Sequence, residues 1–461
     1  MTNNALARGN RAIRNSARVK RLFVFALTFL MLIPMQVKVA GVTVGVALLV
    51  AGCLALRYLF DQLRGRPRAA RELRLFCLLF GLAIYFLFIA VLGRAADLSM
   101  VVMCLYGATM YAAALVLVDL YRAVFDAMHV ESALKCMFSV GLVHSVVQIA
   151  VLASEPFANA IYSVVTLSED SATHISQGYR SPGLFASGAA ILGTFNAMVL
   201  VIGIVAFLRT TSRPSWTRLL LLSIATILQV VAIAVSGRTG FVALGICIVV
   251  VVAYQFLRDP KPRLAGNLAR LMMVTTLLVG IAALRIGFEE IEQNLRWSFE
   301  FVYSLLEGQG LKTESTTILF GEMFFLPDGL WPLLFGTANF GRSPGLPYVD
   351  SDAGYVLMVF GGGFVGAALT MSVFIYVLGE ALASRRHVVS MLLVSFVVAI
   401  FVINMKDFYF LQNSGATQII MICLALLHST HRPLRAAATV RVRKPPGVMR
   451  RPDAASAAPA A

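Results

Sequence analysis

Leu75-Phe-Cys-Leu-Leu-Phe-Gly-Leu-Ala-Ile-Tyr-Phe-Leu-Phe-Ile-Ala-Val-Leu92 is an apolar run without a charged side chain. A helix that crosses a bilayer needs about 20 mostly apolar residues. The run is preceded by Arg57, Arg64, Arg66, Arg68, Arg71 and Arg74, and followed by the nearly neutral Gly93-Arg-Ala-Ala-Asp-Leu98. It therefore reads as a membrane span with a basic side and a neutral side. Comparable runs recur at residues 22–37, 39–56, 99–118, 134–153, 184–208, 219–235, 241–256, 271–287, 353–378, 389–404 and 416–427. The count is about twelve. Met35-Gln-Val-Lys38 joins the first two as a short hairpin. Over the whole chain 59% of residues are hydrophobic, 13% are charged and mean hydropathy is +0.81. A soluble domain carries about 25% charged residues. The fold class is an all-α integral membrane protein.

The other cations test that reading. Arg122, then Arg209, Arg213 and Arg218, then Arg258, Lys261, Arg263 and Arg270, then Arg385 and Arg386, fall in alternate connections. The basic N-terminus, residues 1–21, and the basic tail, residues 429–461, fall on the same side. The intervening connections, 93–98, 154–183, 236–240, 289–352 and 406–415, are acidic or nearly neutral. Loops rich in Lys and Arg stay in the cytoplasm, so both termini are expected there, with a polytopic domain at 22–428 between them. Loops 154–183 and 289–352 are then expected outside. The net charge of +16 reports topology in this pattern, not nucleic acid. The run at 22–35 reads as a first span, since no small-residue cleavage site follows it. The Pro- and Ala-rich tail reads as disordered, with its arginines near anionic headgroups. All six cysteines lie inside apolar runs, which argues against a disulfide framework.

The loop at 289–352 is rich in acid and contains three cations, Arg296, Lys312 and Arg342. Loops of this length usually carry function. Residues 289–332 read as a lid or glycan-guiding segment, with a helix expected around 295–306. Residues 336–355 are the part expected at a reaction centre.

Charges near the membrane are costly and point to function. Arg238 lies in the tight turn Val235-Ser-Gly-Arg-Thr-Gly240, and Arg180 in Gly178-Tyr-Arg-Ser-Pro-Gly-Leu-Phe185. Arginine binds phosphate or carboxylate through two parallel hydrogen bonds; either residue can equally sit at the interface beside lipid phosphate. Arg285 lies near the outer end of its span. Lys406 and Asp407, at the end of another, read as a structural ion pair. Asp350 and Asp352 flank Ser351 at the mouth of the tenth span, before Tyr355. A carboxylate there can take a proton from a hydroxyl nucleophile or can cap the helix. Candidate catalytic residues are Asp352, Asp350 and Arg238. Candidate substrate-binding residues are Arg180, Arg238, Arg342, Tyr355 and Arg285. Gly361, Gly362, Gly363 and Gly366 read as a close-packing stripe, and His144 with Gln148 as an interhelical hydrogen-bonding pair. His174 lies in the first long outer loop. The sequence holds no Gly-x-x-x-x-Gly-Lys-Ser/Thr loop and no metal-binding His/Glu helix, which argues against a pump or a zinc protease.

Three segments together resemble one family. They are Arg180-Ser-Pro-Gly-Leu-Phe185, the turn Val235-Ser-Gly-Arg-Thr-Gly240, and Leu334-Phe-Gly-Thr-Ala-Asn-Phe-Gly341 followed by Asp350-Ser-Asp-Ala-Gly-Tyr355 and Gly363-Phe-Val-Gly366. In their order and their placement on one membrane face they resemble the O-antigen ligase/polymerase superfamily, most closely its Wzy-type polymerases. The resemblance implies a GT-C-like helical fold in a bacterial inner membrane, with no cofactor, metal or nucleotide sugar. It implies transfer of a growing undecaprenyl-diphosphate-linked glycan onto the next lipid-linked repeat unit at the periplasmic face, with membrane lipids and a chain-length regulator protein as partners. Arg180 and Arg238 match the family's arginine positions. The ligase branch carries a His where Asp352 stands, so the ligase mechanism does not transfer directly. A ligase acting on lipid A core and a flippase of lipid-linked oligosaccharide are the alternative readings.

Overall fold

The computed structural model describes residues 2–65, 70–93, 97–168, 171, 180–186, 189–209, 214–258, 263–286, 308, 314–340, 349–384 and 387–429. The described residues form helices, with one small hairpin at 36–45. The helices are α1 (Thr2–Leu32), α2 (Val46–Leu63), α3 (Ala70–Leu92), α4 (Ser99–Phe125), α5 (His129–Ala153), α6 (Glu155–Tyr162), α7 (Ala189–Leu208) and α8 (Trp216–Ser236). They continue with α9 (Thr239–Arg258), α10 (Arg263–Ile286), α11 (Glu314–Gly321), α12 (Leu330–Phe335), α13 (Gly354–Ala383), α14 (His387–Ile403) and α15 (Ala416–Ser429). Eight described stretches are long and apolar enough to cross a membrane, and two shorter apolar helices, α14 and α15, accompany them. One of the eight, Ser99–Ala153, joins α4 and α5 through a single 3₁₀ turn at Asp126–Met128. This is the architecture of an all-α, multi-pass membrane protein.

Helices that are apolar all round belong in the interior. Every residue of α15 is buried, and α7 is buried along most of its length. α4 packs against α2, α3, α5 and α15. Its Gly107, Ala108 and Ala112 to Ala114 leave room for neighbours; Leu411 would stand 3.0 Å from a Cβ on Gly107. Without a hydrophobic driving force between helices in lipid, small residues that admit close contact take its place. The α5–α7 seam shows this reciprocally: Gly141 receives Val199 and Gly203 receives Phe138.

Two expectations from the sequence are corrected. The second span does not begin at residue 39. Strands β1 (Gln36–Val39) and β2 (Val42–Gly45) pair antiparallel across a two-residue turn, Ala40 at φ 50° and Gly41 at φ 83°. Alternating β-branched residues in Val-Lys-Val and Val-Thr-Val favour strand over helix, and α2 starts only at Val46. Second, the connection at 154–183 is not all loop. It opens with α6, whose N-terminus is capped by the Ser154 hydroxyl accepting from the Phe157 amide. Behind α6, Val37 bridges Val165, and the Thr166 amide donates to the Gln36 carbonyl at 2.8 Å.

The tenth span is also not a straight helix. α13 breaks at Gly363, where φ is 65°. A break frees carbonyls that cannot face lipid. Tyr85 donates to the Gly362 carbonyl at 2.8 Å, and the Thr337 amide and hydroxyl both donate to the Phe360 carbonyl, at 2.8 and 3.0 Å. The turn after α12 wedges into the break: Gly336, at φ 80°, lies so close that a Cβ would stand 2.6 Å from the Gly362 and Gly363 amide nitrogens. The glycines at 361–366 do serve packing, with Phe340, Phe86 and Tyr85 against Gly361, Gly362 and Gly366. Gly363 has the further role of ending the first half of the helix.

Candidate functional site

Arg238 occupies the reversal between α8 and α9. Gly240, at the start of α9, presses on the backbone of α7: a Cβ there would stand 2.7 Å from the Gly193 carbonyl carbon. The reversal is thereby fixed against α7, and the Arg238 side chain leaves it half-buried. Arg180 leaves a second turn, which is tied to the first. The Ser181 amide donates to the Val235 carbonyl at 3.1 Å. The Ser181 hydroxyl donates to the Gln148 carbonyl at 2.8 Å.

The side chain of Gln148, fully buried on α5, joins the two turns. Its amide nitrogen lies 2.8 Å from the Ser181 carbonyl, 2.8 Å from the Ser236 hydroxyl and 3.1 Å from the Ala232 carbonyl. Its oxygen accepts from Asn196 of α7 at 3.1 Å. One turn earlier His144 Nε2 accepts from the Leu184 amide at 3.3 Å. Gly183 needs its φ of 60° and its missing side chain here, because a Cβ would stand 2.9 Å from His144 Nε2. The expected hydrogen-bonding role of His144 and Gln148 is borne out, and its object is now visible: both hold the Arg180 turn, and Gln148 also holds the Arg238 turn. Buried polar groups without partners cost about 1–3 kcal/mol each, so this network favours one arrangement of the two turns.

The segment after α14 completes the cluster. Asn404 accepts from the Tyr409 amide at 3.0 Å, and Asp407 Oδ1 accepts from the Phe408 amide at 2.8 Å. Gly354, at the start of α13, packs against this segment; a Cβ on it would stand 2.7 Å from the Asp407 carbonyl oxygen. Tyr409 reaches α7 through Thr194 at 3.3 Å. Between them projects Lys406, half-buried. Burial holds its ammonium below the ordinary lysine value; Arg238 and then Arg180 push it further down, while Asp407 and Asp352 pull it up. Two arginines and two carboxylates thus all act on Lys406 at one end of the bundle. The Nε atoms of Arg180 and Arg238 are withdrawn from solvent.

The large loop reaches the same place. Asp97, before α4, accepts from Ser99 through one carboxylate oxygen and from the Phe340 amide through the other, both at 2.9 Å. The Phe340 ring meets Phe408 edge-on at 4.5 Å. Ser351 donates to the Met323 carbonyl at 2.8 Å. Connections 93–98, 154–183, 236–240, 289–352 and 406–415, one alternate set in the sequence, therefore meet at one end through their described residues.

The sequence-derived candidates separate in this geometry. Arg180, Arg238 and Asp352 come together. Asp350 is exposed. The N-cap of α13 is Ala353, with no side-chain cap, and the Ser351 hydroxyl accepts from the Ala353 amide at 3.1 Å. The Ser351 hydroxyl, and not Asp350, thus holds the amide at the start of the helix. The Tyr355 hydroxyl donates to the Phe401 carbonyl at 2.6 Å, so it ties α13 to α14. Arg342, His174 and the helix expected around 295–306 lie outside the described residues, as does the side chain of Arg285. Lys406, read as half of a structural pair, does feel Asp407, and it feels both arginines as well. The signal was present in Asn404-Met-Lys-Asp-Phe408, a polar cluster ending an apolar run, but its neighbours are remote in sequence.

A site with surplus positive charge, partly shielded from water, suits a multiply charged anion such as a diphosphate. A carboxylate at its edge suits a proton acceptor. No family model matches the chain, and neither the curated proteins nor the solved structures give a significant match.

Proposed function

We propose that this protein is a polysaccharide polymerase of a bacterial inner membrane. It would transfer a growing undecaprenyl-diphosphate-linked glycan onto a lipid-linked repeat unit at the outer face, with about twelve spans in a GT-C-like arrangement and both termini in the cytoplasm. The observation that carries the reading is the convergence of Arg180, Arg238 and Lys406 with Asp352 at one end of the bundle. In the reaction a sugar hydroxyl of the acceptor attacks the anomeric carbon of the donor. The bond from that carbon to the diphosphate oxygen breaks, and the lipid diphosphate departs with the electron pair. Arg180, Arg238 and Lys406 neutralise the charge developing on it. Asp352 takes the hydroxyl proton.

The break in α13 invites comparison with transporters, whose interrupted helices line a substrate path. Here the break is filled by the Gly336–Thr337 turn, and the Phe360 and Gly362 carbonyls are satisfied by Thr337 and Tyr85. That supports an enzyme over a flippase. The deciding experiment is deletion of the gene and analysis of lipid-linked intermediates. Single repeat units on the outer leaflet without long chains are expected. Polymer left unattached to lipid A would indicate a ligase, repeat units stranded on the inner leaflet a flippase, and normal chain lengths would refute the proposal.

A further inference from the structure

At the end of the bundle away from the candidate site, α3 and α13 leave an apolar groove of about 600 Å³, lined by Ala70, Leu73, Arg74, Cys77, Leu78 and Tyr376. The five α3 residues recur at i, i+3, i+4, i+7 and i+8, so they are one face of its first two turns. Tyr376 supplies the facing wall. Its hydroxyl donates to the Arg71 carbonyl at 2.8 Å, and the Arg71 guanidinium lies 3.6 Å from Glu380. The wall is therefore held at its polar end by a bond between the two helices. Tyr376 lies 13 residues beyond the break at Gly363 in α13, about 20 Å at 1.5 Å per residue. The groove is thus separate from the site.

α3 is one of the long apolar helices, and Leu73 is 63% exposed, so the groove opens towards the bilayer. Its depth is apolar and its mouth is cationic: Glu380 acts on Arg71, while Arg74 stands exposed at the edge. An occupant must offer methylenes to the walls and an anion to the mouth. We propose that the groove holds one anionic glycerophospholipid of the leaflet opposite the candidate site, with an acyl chain along α3 and its phosphate on Arg74. A free phosphate would leave the apolar walls uncovered, and a zwitterionic lipid would bring its own cation to the arginines.

The test is native mass spectrometry of the purified full-length protein titrated with phosphatidylglycerol and, separately, with phosphatidylcholine of the same chains. Wild type should retain one phosphatidylglycerol in preference to phosphatidylcholine. Arg74→Gln removes a charge-assisted phosphate contact and should weaken phosphatidylglycerol binding about tenfold, with Arg74→Lys intermediate. Cys77→Trp fills the groove, leaves the charge, and should lower retention of both lipids. Arg74 is exposed, so its variants should fold, and their thermal midpoints check this. Equal phosphatidylglycerol retention in wild type, Arg74→Gln and Cys77→Trp would overturn the proposal, as would equal retention of the two lipids by wild type.

Discussion

Gln148 Nε2 lies 2.8 Å from the Ser236 hydroxyl, across the interface of α5 with α8. Through this contact and its bond to the Ser181 carbonyl, one amide sets the separation of the turns that carry Arg180 and Arg238. Gln148→Leu should strand several buried polar groups, each at about 1–3 kcal/mol. A lower thermal midpoint in detergent is expected. On the proposed function, polymerisation should fall about 100-fold, the scale of a 1 Å misplacement at a reacting centre. An unchanged rate with a lowered midpoint would restrict Gln148 to stability.

Arg238→Ala should abolish polymerisation while membrane abundance stays at the wild-type level. Lysine at the same position should rescue poorly, since an ammonium cannot form two parallel bonds to a phosphate. In-gel chain-length profiles of complemented deletion strains distinguish the three forms. Full activity of Arg238→Ala would remove it from the site.

Asp352→Asn keeps size and polarity but not basicity. A general base contributes about 10²–10⁴-fold, and a loss in that range is expected, read as initial rate on purified lipid-linked repeat units. Asp350→Asn should leave most activity, because Asp350 is exposed and the Ser351 hydroxyl already holds the Ala353 amide.

Lys406 predicts a pH dependence. Burial, Arg238 and Arg180 lower its folded value. A bound diphosphate favours the ammonium and raises that value, so the complex holds more protons than the free protein. Affinity is then constant below the free-state value of Lys406 and falls as pH rises from there to the bound-state value. KM should rise across that window with kcat less affected. In Lys406→Met the dependence should disappear and KM should be uniformly higher. A wild-type KM flat up to the ordinary lysine range would contradict this.

Much of this was legible in one dimension. The apolar runs and their alternating cations gave the helices and the grouping of loops, because the requirement for about 20 apolar residues per span acts locally. Arg180 and Arg238 stood out because a charge in a turn beside an apolar run is costly to place there. Three things needed the fold. The hairpin at 36–45 is too short for its period to stand against the neighbouring apolar residues. Lys406 shares its surroundings with residues more than 160 positions away, and no local pattern reports that. The break at Gly363 depends on what fills it: four glycines near one another in a span read equally well as a packing face.

Gly336 and Gly363 also impose an order on biogenesis. The chain delivers the turn after α12 before it delivers α13, yet the turn has its seat only where α13 is broken. If α13 entered lipid already broken, the Gly362 and Phe360 carbonyls would face hydrocarbon until Tyr85 and Thr337 arrived, a cost of several kcal/mol. The favourable route inserts α13 first as an unbroken apolar helix and bends it afterwards, when α3 and the Gly336–Thr337 turn can take both carbonyls at once. The turn after α12 is then a late-docking part, and its contact with Gly362 and Gly363 is among the last on α13 to form.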